Sequence, residues 1–204
     1  MNPTIPPAAD HDLPNHSLAA CLAGIRSTWG PLTSEVVASS RACLEELVKA
    51  PASEAWLAAL HREAPAYQEL YRDPVHGFVL LAHSEDAGLY RPPHDHGRGW
   101  VIYALQRGEI EMGSYARVTE TDGRIRLVKR DATIVRPGQI MVYLPGDIHD
   151  TRCLSGPALL LRFTERDLKR EDQEEHRVTR YVEQDGRWTV GKVCSLTGRT
   201  LGPA

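Results

Sequence analysis

The chain has 204 residues, a formal net charge of −3, 42% hydrophobic and 25% charged residues; that is enough to build one good-sized core, and no strongly basic stretch points to a nucleic-acid partner. No run approaches the roughly eighteen apolar residues of a membrane span, and MNPTIPPAADHDLPNH lacks the basic and apolar regions of a signal peptide. Cys21, Cys43, Cys153 and Cys194 are scattered with no CxxC pair, so the expectation is a cytoplasmic protein with reduced thiols and no membrane partner.

Residues 1–15 are proline-rich and polar and read as a loose N-terminus. Residues 16–75 read as a helical segment packed on a strand-rich remainder. SLAACLAGIRSTW, LTSEVVASSRACLEELVKA and PASEAWLAALHREA repeat apolar residues at three- and four-residue steps, with Thr33 or Ser34 as an N-cap and Pro51 and Pro65 as stops. From residue 76 to the end the pattern becomes strand-like. GFVLLAHS, WVIYALQ, EIEMGSYARVTE, RIRLVKR, QIMVYL, HDTRCL and ALLLRFTE are short runs between turn signals, and YVEQDGRWTV reads as a hairpin turning at Asp185-Gly186. TERDLKREDQEEHR reads as a solvated helix or loop. So many short strands predict a mainly β barrel or double-sheet roll with an N-terminal helical segment, in one structural domain.

RPPHDHGRGW places His94 and His96 two apart, and in an extended chain such residues share a face. Two imidazoles on one face begin a transition-metal site. LPGDIHDT offers a third in His149, just after a Pro-Gly turn.

The two stretches run Gly88-x5-His94-x-His96-x4-Val101-x6-Gly108 and Gly138-x5-Leu144-x-Gly146-x2-His149. This spacing resembles the two motifs of the cupin superfamily, over about residues 77–165. The resemblance implies a double-stranded β-helix (jelly-roll) barrel with His94, His96 and His149 as metal ligands. Val101, or Trp100 with a shorter spacing, stands where many cupins carry a glutamate ligand; Leu144 replaces a proline and Cys153 an asparagine. Three neutral imidazoles leave the charge of a divalent ion uncompensated, which favours an anionic, chelating substrate.

HDHG with LPGDIH, behind a helical segment, resembles the thiol dioxygenase family, which includes cysteine dioxygenase and 3-mercaptopropionate dioxygenase. That resemblance implies Fe(2+), a small-molecule substrate and dioxygen. YQELYRDPVHGFVLLA is similar to the family's segment ahead of the metal motif, and there Gln68 falls near the substrate-carboxylate position. The family's serine-histidine-tyrosine trio on a late strand is replaced by Leu160, Arg162 and Thr164, and the cysteine–tyrosine crosslink has no counterpart with Val101 and Thr164. By alternation Arg162 points inward, either into an internal salt bridge or as a bidentate clamp on a carboxylate. Tyr103 shares the inward face of Val101, as a core tyrosine or a catalytic one.

The sequence thus leads to a mononuclear non-haem iron dioxygenase acting on a small, carboxylate-bearing substrate. A lyase or isomerase using zinc, nickel, manganese or cobalt as Lewis acid is the alternative, as is a non-catalytic ligand-binding cupin. A homodimer is compatible with all three.

Overall fold

The computed structural model describes residues 17–184 and 186–191. Three helices come first: α1 (Ser17–Ser27), α2 (Ser34–Leu47) and α3 (Ala55–Glu63). α1 buries Leu18, Cys21, Leu22 and Ile25, one stripe at helical spacing. Thr33 caps α2, its side-chain oxygen accepting from the Val36 N–H at 3.3 Å. α3 ends in the left-handed Ala64, whose N–H donates to the Leu60 carbonyl, and Pro65 follows.

Nine strands follow: β1 (Gln68–Arg72), β2 (Val79–Glu85), β3 (Tyr90–His94), β4 (Val101–Thr119), β5 (Ile125–Val135), β6 (Ile140–Tyr143), β7 (Ile148–Thr164), β8 (Tyr181–Gln184) and β9 (Arg187–Val190). They form one antiparallel sheet in the order β1-β2-β7-β4-β5-β9-β8, with β3 on β7 and β6 on β4. The fold is mainly β with helices at the N-terminus, and the sheet curls into a half-barrel. No helix among the described residues is long and apolar enough to cross a membrane.

Alternation divides the sheet into two cores. Trp100, Ile102, Ala104, Leu159, Leu161 and Phe163 pack with the helices. Val101, Tyr103, Leu105, Tyr143, Cys153 and Leu160 face the inside of the curl. Aromatic rings seat the helical pack: Trp29 stacks on Trp100 at 6.3 Å between centroids and meets Phe78 at 4.9 Å.

The structure departs from the sequence reading in several places. The segment 16–75 is helical only as far as Glu63, and its end forms β1 as an edge strand on β2. Asp73 closes that hairpin by accepting from the Val75 and His76 N–H groups at 2.9 and 2.7 Å. WVIYALQ and EIEMGSYARVTE are one strand, β4, as are HDTRCL and ALLLRFTE in β7. Gly108 carries the bend of β4 with φ +87°, where a Cβ would lie 2.6 Å from that of Ala158. β3 was hidden by Pro92 and Pro93, which a strand tolerates only at a partly unpaired position; its register on β7 slips between Arg91 and His94.

TERDLKREDQEEHR is not a solvated element. It makes a π-helical turn, Arg170–Glu174, whose Glu171 and Asp172 are buried. The Arg180 guanidinium holds Asp172 in a bidentate pair at 2.6 and 2.7 Å. The hairpin of β8 and β9 forms as read, with Asp185 outside the described residues.

Candidate metal centre

β3 ends at His94, which pairs directly with His149 of β7. The chain then turns, and His96 folds back toward both. One ring nitrogen from each of the three histidines lies within 4.8 Å of the other two, and the Nε2 atoms of His96 and His149 are 3.4 Å apart. His94 Nδ1 bonds the Pro92 carbonyl at 2.8 Å; that bond makes Nδ1 the donor and leaves Nε2 with the lone pair a metal needs.

The turn carrying His96 is held from beneath. Asp95 accepts from the Gly97 and Thr179 N–H groups at 3.0 and 2.8 Å, and its own N–H donates to the Thr179 carbonyl at 3.0 Å. Glu171 accepts from the Arg98 N–H at 3.2 Å and from the Arg166 guanidinium at 3.2 Å. Gly97 has φ +63°, and a Cβ there would come within 2.7 Å of the Glu171 carboxylate. Asp95 is therefore a cap between two of the clustered histidines. Tyr143 stacks on His149, with centroids 3.9 Å apart.

Burial holds all three imidazoles neutral. His94 is pushed down to about 4 by desolvation first, then by Arg180, Arg162 and Arg91, against the Pro92 bond. His96 and His149 lie well below the ordinary imidazole value for the same reason, assisted by neighbouring histidines and Arg162. Neutral imidazole is the ligand form. Two nitrogens bound about 2.1 Å from one ion stand roughly 3.0–3.4 Å apart, so the 3.4 Å between His96 and His149 fits a first-row divalent ion. The donor set fits as well: the convergent nitrogens carry lone pairs that a cation would separate.

Arg162 is across from Tyr103 of β4 and Leu81 of β2, on the inner face. Its positive charge lies near the Tyr103 phenol and opposes the upward push of burial on it, and the Tyr103 hydroxyl stands 3.2 Å from His96 Nε2. Val101 and Leu160 join the inner apolar core, while the Thr164 hydroxyl donates to the Val79 carbonyl at 3.4 Å. Gln68 does not join the site. It pairs with Ala82, which belongs to the helix-side core, so Gln68 is on the other face of the sheet from Arg162 and the histidines. The short alignment gave its neighbourhood but not its facing. The sequence reading missed His83 and Glu85, which are inside the curl on β2. Two surface grooves, one between α2 and β6 and one along β5 and β9, are remote from the histidines.

No protein-family model matches the chain, and no curated protein does. Among solved structures the chain is similar to KdgF from a Halomonas species, with a TM-score of 0.36, 19% identity, and coverage of 48% of this chain and 74% of that one. It is also similar to the cupin domain of Schizosaccharomyces pombe Cnp3, with a TM-score of 0.38, 13% identity, and coverage of 53% and 69%. An oxalate oxidase bound to glycolate gives a TM-score of 0.34 at 19% identity and coverage of 43% and 41%. The matched part spans less than half of that oxidase.

Proposed function

We propose that this chain is a metal-dependent enzyme of the cupin type, a mononuclear non-haem iron dioxygenase resembling the thiol dioxygenases. Its substrate is a small acid whose carboxylate is held by Arg162. One observation carries this reading: three neutral imidazoles, two buried and one half-buried, converge without a carboxylate, and Arg162 is on the same inner face beside Tyr103.

His94, His96 and His149 would hold the ion, and Fe(2+) is the ion proposed, although three imidazoles also accept zinc, nickel, manganese or cobalt. Ferrous iron would supply open positions for substrate and dioxygen. The remaining work falls to the chain. Arg162 orients the acid and keeps its charge, since a guanidinium does not deprotonate. Tyr103 stands beside Arg162, with its hydroxyl 3.2 Å from His96 Nε2. Leu105, Leu160 and Val101 exclude water from the inner wall.

Metal analysis of anaerobically purified protein tests the centre. Oxygen uptake by iron-loaded protein with cysteine, 3-mercaptopropionate and non-thiol acids tests the chemistry. Uptake with a carboxylate-bearing substrate and little with cysteine is expected. Metal binding without oxygen uptake on any acid overturns the dioxygenase and leaves a Lewis-acid lyase or isomerase.

A further inference from the structure

β2 presents Leu81, His83 and Glu85 to Arg162, Leu160 and Ala158 of β7. The alternate residues Leu80 and Ala82 lie in the helix-side core, so His83 and Glu85 turn inward. They are 8% and 2% exposed. Three polar atoms on this wall have no hydrogen-bond partner: His83 Nε2, Glu85 Oε2 and Arg162 Nε. Buried polar atoms are normally satisfied, so three orphans along one wall mark an unfilled polar site.

Each orphan has a defined sense. Arg162 Nε can only donate. Glu85 has one oxygen on the Arg91 guanidinium at 3.0 Å, and its other oxygen is the unpartnered acceptor. His83 Nε2 is unpartnered, and the Ala66 backbone beside the ring favours a proton on it. In the neutral tautomer protonated at Nδ1, Nε2 is a bare acceptor. Desolvation, with Arg162 and Arg91 nearby, holds this ring neutral. Tyr67 meets it edge-on at 5.5 Å and fixes its plane. The wall therefore offers one cationic donor beside two acceptors.

We propose that His83, Glu85 and Arg162 form a ligand subsite that selects an acid carrying its own hydrogen-bond donor, a hydroxy or amino acid, over the plain carboxylic acid. The anionic group lies on Arg162, and the O–H or N–H points to His83 Nε2 and Glu85 Oε2. The subsite deepens the function proposed above and rests on that reading of Arg162. It assigns His83 and Glu85 as specificity-determining residues. A plain acid leaves both acceptors unpaired in a buried wall, and sites built to bond a substrate donor reject analogues that lack it.

Calorimetric titration of the full chain with propionate, lactate and alanine tests this, with and without Co(II). Lactate or alanine should bind about tenfold or more tightly than propionate, the size of one well-made buried hydrogen bond. His83→Phe keeps the ring packing and removes the acceptor. It should bring the ratio to within about twofold while propionate affinity is unchanged, and His83→Gln should restore part of it. His83→Leu is a second removal should the phenylalanine variant not fold. Equal affinity for the three acids in the parent means that water satisfies the wall, and overturns the subsite. So does binding of none of them, or a ratio that survives both removals. The visible absorption of Co(II) reports the histidines separately. Discrimination between acids without a Co(II) band leaves the subsite and removes the metal reading, whereas a band without discrimination does the reverse.

Discussion

Tyr103 and Arg162 stand directly across from each other on β4 and β7, and the Tyr103 hydroxyl is 3.2 Å from His96 Nε2. One tyrosine thus neighbours both the proposed acid clamp and a proposed metal ligand. Tyr103→Phe should keep the packing and the metal. It removes one neutral hydrogen bond, worth about 1 kcal/mol. Stability should change little and kcat should fall about tenfold, as read by oxygen uptake and thermal denaturation.

The metal depends on all three histidines. His149→Ala should abolish stoichiometric Co(II) or Fe(II) uptake, measured by elemental analysis of dialysed protein, because two imidazoles do not replace three convergent ones. His61→Ala is the control, since His61 bonds Gln106 outside the site at 2.8 Å, and it should bind metal as the parent does.

Arg162→Ala should retain the metal and lose about 100-fold in kcat/KM, the cost of a charge-assisted bidentate contact. Arg162→Lys should recover only part, because an ammonium does not reproduce the guanidinium fork. An alanine variant as active as the parent would show that Arg162 is structural.

Acid should destabilise the metal-free protein for a specific reason. Burial lowers His83 to about 3 and His94 to about 4, and holds His96 and His149 well below their ordinary value. The unfolded chain therefore binds more protons than the folded one between the ordinary imidazole value and these lowered native values. Stability is fully present above about pH 6.5 and falls as pH drops from there toward 4. Denaturant midpoints between pH 7 and 5 should decline, and substitution of His83 by phenylalanine should make the decline shallower.

Asp95→Ala frees two backbone N–H groups, those of Gly97 and Thr179. It should cost about 2 kcal/mol of stability and weaken Co(II) binding by loosening the turn that carries His96. Calorimetry and metal titration on the same preparation check both.

The three-histidine cluster was legible because its parts are written locally. His94 and His96 share one turn, and the Pro-Gly turn at 145–146 introduces His149. The inward sense of Arg162 followed from alternation along β7. Other features depend on contacts far apart in sequence and left no local signal. Gly108 and Pro157 read as breaks, yet β4 and β7 run through them because each strand pairs on both sides. Glu171 and Asp172 look solvated in an acidic run and are buried by Arg98, Arg166 and Arg180. His83 and Glu85 had a usable signal. β2 is buried on both faces, and in such a strand a polar pair two residues apart is the exception that marks a site.

The sheet's two faces also assign different constraints to neighbouring residues. On β4, Trp100, Ile102 and Ala104 answer to the helices, and Val101, Tyr103 and Leu105 answer to the pocket. Random variation confined to the odd-numbered set would explore new chemistries on an anchored framework, and variation of the even-numbered set would erode folding without touching selectivity. A lineage diverging from this chain can therefore change what it acts on through one parity of positions while the other parity is kept by the helical pack.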